Sequence, residues 1–447
     1  MSVRGTFFDA YSRLRGHRVA AYRAEYEKAL LSESGETIRR NRLRLVLDRA
    51  RQDIPYYRDL AVGPQRDVFD ELQRYPILTK DIIRPNRERL RAPDIENRHW
   101  YTNTSGGSTG EPIQLIQDRE YADRSAALNA VLYGRMGYRF GQRQYRIWGS
   151  ERDILQGRSA TTRFWNFVYN SEILNAFRMS PETMREYLRI LDRNPPRLLV
   201  CYAQAGYELA RFALEHEIAI AAPQAMTCSA GTLYPFMRET IERAFGCPVY
   251  NWYGSREVGV IATQLPGEPL LWIPPMAQHV EIVDEAGVPV PAGVEGEILV
   301  TSLSNLSMPL IRYRIGDRGA LAPSDDGIQR LTHVAGRNVD TFRTRDGTLV
   351  DGEYFTHLLY FRDWVHKFQF VQADFERIVL RVEPSRRFSR DEAAAALQAA
   401  LPEILPQVHA VLGPKCQLEA RLVDEIPTGS SGKHRYTICE IGGTQAA

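Results

Sequence analysis

The sequence predicts a multidomain α/β protein: a large N-terminal domain built on a mainly parallel sheet, then a small α+β C-terminal domain. Three observations predict this. From residue 100 to roughly 265, apolar strand runs alternate with helical stripes, the pattern of a parallel sheet covered by helices. From about 265 to 339 the helices stop and short strands and turns take over, which reads as an antiparallel β subdomain. The chain has 447 residues, more than one compact core absorbs. The expected domains are 1–339, with a mostly helical part over about 1–100, and 340–447.

The elements justify this in order. "IRRNRLRLVLDRARQDIPYY" carries apolar residues at helical spacing with charge opposite, and Pro55 closes it. Such a basic helix is more often a solvated helix packed on a domain than one that meets a membrane surface or nucleic acid. "RNPPRLLVCYA" is an apolar run after prolines, and "GYELARFALEHEI" is a helical stripe. "PQAMTCSAG", "MRETIERAFG" and "CPVYNWYGS" repeat the strand–helix–strand order. "HVEIVDEAGVPVPAGVEGEILVTSL" and "PLIRYRIGDRGAL" are short strands with turns. Beyond 340, "FRTRDGTLVDG" holds an Asp-Gly hairpin turn and "FQFVQADFERIVLRVEP" gives two strands. Ser389 with Glu392 three residues later forms a capping box that opens a helix, and "CQLEARLVDEIP" is a last strand.

The net charge of +2 gives no bulk signal for nucleic acid. Of 57 basic residues only five are lysine (Lys28, Lys80, Lys367, Lys415, Lys433), so a lysine inside a motif stands out. The five cysteines are scattered without C-x-x-C spacing, which argues against a disulfide framework or structural zinc. No apolar run approaches a signal peptide or a membrane span, so a reduced, cytoplasmic protein is expected.

Five motifs carry chemistry. Thr104 to Gly110, "TSGGSTG", lies between two strand-like segments. Glycines there let backbone N–H groups approach a phosphate and hydroxyls add donors. It lacks the lysine and the following helix of a P-loop, and a mobile surface loop reads equally well. "NWYGSREVG" offers the Tyr253 ring to a planar base and the Glu257 carboxylate to Mg²⁺, or ends a strand in a solvent-facing turn. In "RYRIGDRG", Asp317 suits two ribose hydroxyls, or a salt bridge to Arg312, Arg314 or Arg318. In "AGRNVD", Arg337 suits ribose or phosphate. "PTGSSGKHR" is a glycine-serine loop carrying Lys433.

Taken in order, TSGGSTGEP, YGSREVG, RYRIGD, GRNVD and PTGSSGK resemble the motif series of the acyl-adenylate-forming superfamily, over about 330 residues. The N-terminal "RLRLVLDRARQDIPYYRDL…YPILTKDII" looks like its phenylacetate–coenzyme A ligase branch. The resemblance implies activation of a small, aromatic carboxylic acid by ATP to an acyl-AMP, with release of pyrophosphate. Transfer to the thiol of coenzyme A then follows; a carrier-protein phosphopantetheine or an amine are the alternative acceptors, and a non-catalytic nucleotide-binding relic is the reading from another class. It further implies that Ser105, Gly106, Gly107, Ser108, Thr109 and Gly110 hold the β- and γ-phosphates and that Glu257 takes Mg²⁺. By the same resemblance Asn251, Tyr253, Gly254 and Ser255, with Ser229, Ala230 and Gly231 opposite, bind adenine, while Asp317 and Arg337 hold the ribose. Trp148, Cys201, Tyr202, Ala203 and Trp252 would line the acid pocket, with no nucleic acid or membrane as partner. Lys433, on a small domain that rotates between half-reactions about a hinge near Val339–Asp340, would bridge the acyl carboxylate and the α-phosphate. Two departures from the pattern are Val339 before Asp340, where two acidic residues are usual, and Thr232 after Gly231, near where an acidic residue often stands.

Overall fold

A computed structural model describes residues 3–104, 113–148, 160–176, 179, 181–337, 341–345, 349–352, 355, 358–359, 362, 364–385, 387–426 and 436–441. The chain divides into two compact units. One comprises Met1–Gly107, Pro112–Asn175 and Arg185–Val334; the other is built mainly from Ala335–Ala447, with Ala176–Met184.

The first unit opens with helices α1 (Val3–Leu14), α2 (Val19–Ser32), α3 (Gly35–Asp53), α4 (Pro55–Arg58), α5 (Val68–Leu72) and α6 (Lys80–Leu90). In α3 the Ser34 side chain caps the N-terminus by accepting from the Thr37 N–H at 3.1 Å, and Pro55 begins the next helix. Its stripe Leu43, Val46, Leu47 and Ala50 is fully buried. Its arginines are structural too: Arg39 donates to the Gly327 carbonyl and Arg42 to the Leu303 carbonyl, both at 2.9 Å, and Arg44 pairs with buried Glu71. The basic face of this helix is therefore a packing face, its guanidinium groups closing loops 21 to 288 residues distant.

A two-stranded hairpin follows, β1 (Trp100–Thr104) with β2 (Gln114–Asp118), then α7 (Arg119–Arg135). The alternating region runs β3 (Gln144–Trp148), α8 (Ala160–Tyr169), β4 (Ser171–Asn175), α9 (Pro181–Arg193), β5 (Leu198–Tyr202), α10 (Ala203–Glu215), β6 (Ala225–Ser229), α11 (Pro235–Phe245) and β7 (Val249–Ser255). The antiparallel region comprises β8 (Gly259–Leu265), β9 (Glu268–Trp272), β10 (Gln278–Val283), β11 (Gly296–Ser302), β12 (Tyr313–Leu321) and β13 (Arg330–Arg337).

These strands form one sheet of order β10-β11-β12-β13-β9-β8-β7-β6-β5-β3-β4. The sequence suggested a parallel sheet and a separate antiparallel subdomain. The structure fuses them, because β7 pairs in parallel with β6 on one edge and antiparallel with β8 on the other. From β3 the chain steps to β4 on one side, then returns to place β5 on the other. That reversal is a topological switch point, and the crevice beyond the carboxyl ends of β3 and β5 is where open α/β sheets bind ligands.

The second unit contains the hairpin β14 (Thr341–Arg343) with β15 (Leu349–Asp351), then β16 (Val365–Asp374), β17 (Arg377–Pro384), helix α12 (Arg390–Leu412), β18 (Gln417–Leu422) and β19 (Thr437–Cys439). Its main sheet has the order β18-β17-β16-β19. The capping box is formed as the sequence predicts: Glu392 N–H donates to Ser389 Oγ at 3.2 Å, and Ser389 N–H to the Glu392 carboxylate at 2.8 Å. Among the described residues no helix is long and apolar enough to cross a membrane.

Candidate active site

The carboxyl ends of the parallel strands gather many of the singled-out residues on one rim. Trp148 ends β3, Tyr202 ends β5, and their ring centroids lie 4.4 Å apart across the switch point. Tyr202 is in register with Ser229, and Cys228 with Asn251, so the rim continues to the ends of β6 and β7. Ala230, just past β6, has φ +56°, a left-handed turn that L residues adopt at a cost. Gly231 follows, and a Cβ there would lie 3.9 Å from that of Ala203. Trp252 stacks on Tyr133 at 4.8 Å with 25° between the planes. Cys201 and Ala203 lie beneath the rim and are buried. The Cys201 and Cys228 sulfurs are 3.5 Å apart, and this hydrogen bond with burial pushes the Cys201 thiol well up, so it is protonated and inert.

The turn after β7 is held by the hairpin. Asn103 Nδ2 and Gln117 Nε2 both donate to the Arg256 carbonyl at 3.2 Å, and Gln117 also reaches the Glu257 carbonyl at 3.4 Å. The stem of the hairpin whose tip is the glycine-rich loop therefore lies against the segment carrying Glu257. Gly254 permits the tight return: a Cβ there would sit 2.7 Å from the Gly259 carbonyl oxygen. Ser255 Oγ accepts from the Val258 N–H at 3.4 Å, closing the turn. Glu257 itself is buried, at 4 % exposure.

Tyr253 and Asp317 meet directly, the phenol donating to Asp317 Oδ2 at 2.7 Å. The three arginines that could have paired with Asp317 have other carboxylates. Arg312 pairs with Glu281 at 3.2 Å, Arg314 with Glu297 at 3.0 Å and Arg318 with Glu295 at 3.0 Å. Arg312 is buried, has φ +50°, and also donates to the Tyr75 carbonyl at 3.0 Å, so it fixes the start of β12 five residues before Asp317.

The glycine loop Ser105–Gly110, the hinge Val339–Asp340 and Lys433 lie outside the described residues. Arg337 is the last residue of β13. Three supporting residues carried no signal in the sequence: Asn103, Gln117 and Asn305. Asn305 is buried; its Nδ2 donates to the Ile116 carbonyl at 3.0 Å and its Oδ1 accepts from the Ser307 N–H at 3.1 Å, binding β2 to the loop before β12.

Mg²⁺ is the metal the motif series implies. Among the described residues no three His, Cys, Asp or Glu side chains cluster as a metal cage. A single buried carboxylate does fit Mg²⁺, which keeps waters and takes its remaining ligands from nucleotide phosphates.

Comparison with known proteins bears out the resemblance carried by the motifs. Residues 162–308 match the AMP-binding enzyme family, and residues 342–440 match the CapK C-terminal domain. Protein CapK of Staphylococcus aureus is 26% identical over 383 residues, covering 83% of this chain and 80% of that protein. Phenylacetate-coenzyme A ligase of Escherichia coli (strain K12) is 26% identical over 325 residues, covering 68% and 71%. The chain is thus similar to acyl-adenylate-forming ligases over most of its length. Its class of chemistry is that of an AMP-forming acid–thiol ligase. Among solved structures, 2-hydroxyisobutyryl-CoA ligase in the postadenylation state shares the fold: TM-score 0.61, 19% identity, 91% of this chain and 90% of that one.

Proposed function

We propose that the protein activates a small aromatic carboxylic acid with ATP and passes the acyl group to coenzyme A. The observation that carries this reading is the convergence of the hairpin stem, the Glu257 turn and the Tyr253–Asp317 pair on one side of the sheet. Phosphates, metal and nucleoside would then each have a separate protein partner.

The chemistry to be overcome is repulsion. A carboxylate must attack the α-phosphate of a polyanion, so positive charge and N–H donors must face the phosphates. In this reading the loop Ser105–Gly110 cradles the β- and γ-phosphates. Mg²⁺ at Glu257 would neutralise phosphate charge when bound. Tyr253 lies on adenine, with Asn251 at its amino group, Gly254 and Ser255 beside it, and Ser229 to Gly231 on the opposite face. Asp317 and Arg337 hold the ribose, and the phenol of Tyr253 fixes the Asp317 carboxylate. Trp148, Tyr202 and Trp252 offer flat apolar surfaces that suit an aryl acid at the switch point. Lys433, on a small domain that we place from residue 340, supplies the charge that the glycine loop lacks.

The test is acid-dependent pyrophosphate release with Mg-ATP, followed by thioester formation with coenzyme A against a phosphopantetheinylated carrier and a free amine. Aryl acids, with coenzyme A as the acceptor, should give the highest kcat/KM. No release with any aryl or alkyl acid would refute adenylation; release without thioester would refute the acceptor alone.

A further inference from the structure

Beneath the rim lies a cavity of about 1010 Å³. Its floor is the face of β3 and β4 that carries the register pairs Gln144–Ser171 and Arg146–Ile173. The next pair on that face is Trp148–Asn175, on the rim itself. Its walls come from α7 and the N-terminal helices α1 and α2, with Phe8, Phe140 and Tyr169 clustered at one end. Tyr133 lines the cavity and stacks on Trp252, and Arg146 lines it and holds its guanidinium 4.8 Å from the Trp148 ring centroid. The cavity is therefore separated from the acid pocket by two side chains. Its volume is at the top of the roughly 300–1,000 Å³ range that serves drug-sized ligands. An acid of phenylacetate size would leave most of it empty.

Arg146 is the informative residue. It is half-buried, yet among the described residues no carboxylate or carbonyl receives its guanidinium. Other shielded arginines of the same unit have a carboxylate or a carbonyl: Arg124 with Glu120 at 2.9 Å, Arg312 with Glu281 at 3.2 Å, Arg318 with Glu295 at 3.0 Å, and Arg39 and Arg42 with the Gly327 and Leu303 carbonyls at 2.9 Å. A planar guanidinium without an anion is open to a carboxylate, which it receives with two parallel bonds. Among the described lining residues the cavity is positive, since Arg23, Arg135, Arg139 and Arg146 are set against Asp9 and Glu27, and Asp9 already lies 4.0 Å from Arg23.

We infer that the acid activated here carries a second anionic group, which Arg146 holds at the mouth of the cavity while the reacting carboxyl group stays on the rim. This rests on the adenylation reading above. The substrate class is a dicarboxylic acid, or an acid with a distal phosphate or sulfonate. Residues two apart on one strand face are about 7 Å apart, so the two acidic groups are separated by at least a ring. Arg146 would then determine which acid is accepted and take no part in the bond-making steps.

The experiment compares phenylacetate with 4-carboxyphenylacetate, which differs by the distal carboxylate alone. Pyrophosphate release is measured in the wild type and in Arg146→Met, which keeps the stem and loses the charge. Binding of the diacid is measured separately by calorimetry. The wild type should prefer the diacid by about tenfold to a hundredfold in kcat/KM, the usual effect of one charged hydrogen-bonded pair. Arg146→Met should abolish that preference and leave phenylacetate turnover within about twofold. Arg146→Glu should instead favour 4-(aminomethyl)phenylacetate, a gain that a folding defect cannot produce. An unchanged diacid-to-monoacid ratio in Arg146→Met, or a wild type that prefers phenylacetate, would overturn the inference. Diacid binding that depends on Arg146 without pyrophosphate release from any acid would support the anion site and refute adenylation instead.

Discussion

The contact between Tyr253 and Asp317 makes a quantitative prediction. In the proposed site Asp317 accepts two ribose hydroxyls, and the Tyr253 phenol, 2.7 Å away, holds the carboxylate in place. A hydrogen bond to a charged group contributes about 1.5–3 kcal/mol. Both side chains are half-buried, so water recovers part of the loss and the lower end applies. Tyr253→Phe should therefore raise the KM for ATP about tenfold, the equivalent of roughly 1.4 kcal/mol. Asp317→Asn should do at least as much. Because both act through one carboxylate, the double variant should be less impaired than the sum, with a coupling on the order of 1 kcal/mol. The assay is initial-rate pyrophosphate release over a range of ATP, repeated with two acids. Additive effects, or a changed acid preference with normal ATP affinity, would refute the assignment.

Three further predictions follow from other parts of the molecule. Lys433→Ala should lose about 10²–10³-fold in acyl-AMP formation, yet convert supplied acyl-AMP to thioester near the wild-type rate; equal loss in both steps would contradict a role confined to adenylation. Burial, with Arg39 and Arg312 nearby, pushes buried His279 down to about 3. The unfolded chain therefore binds the extra proton first: stability should hold above about pH 6.5 and fall by up to roughly 1.4 kcal/mol per pH unit as the pH drops towards 3, and denaturant titrations of His279→Gln should show a flatter slope in that window. Arg312→Ala should destabilise the large unit by about 3–5 kcal/mol by leaving Glu281 buried and unpaired, whereas Arg312→Met with Glu281→Leu should recover most of the loss in denaturation midpoint.

What the sequence made legible was local. The strand–helix alternation reads directly, because period and length are properties of contiguous residues. So does the Ser389–Glu392 cap, which involves four consecutive positions. The fusion of the two sheets does not, because pairing β7 with β8 and β13 with β9 depends on which edges are left unpaired after packing. The site divides the same way. Tyr253 and Asp317 are 64 residues apart and share a hydrogen bond that periodicity cannot foretell; the order of motifs pointed to both residues, and the fold brought them together. Asn103, Gln117 and Asn305 went unnoticed because a buried amide that donates to a carbonyl has no sequence signature. The resemblance sets Cys201 in the acid pocket with Tyr202, but alternation along β5 turns it into the core against Cys228.

The hairpin of β1 and β2 forms a sheet of its own, beside the eleven-stranded one. A two-stranded ribbon has little stability alone, so its position depends on the amides that tie it down. Those ties all attach at the stem, through Asn103, Gln117 and the Ile116 carbonyl. The stem is thus a fixed holder for whatever segment joins Thr104 to Ile113. A loop of another length or composition, grafted between Thr104 and Ile113, would inherit the same mounting beside Glu257 without disturbing the large sheet, whereas a change at any one of the three amides would shift every tip alike.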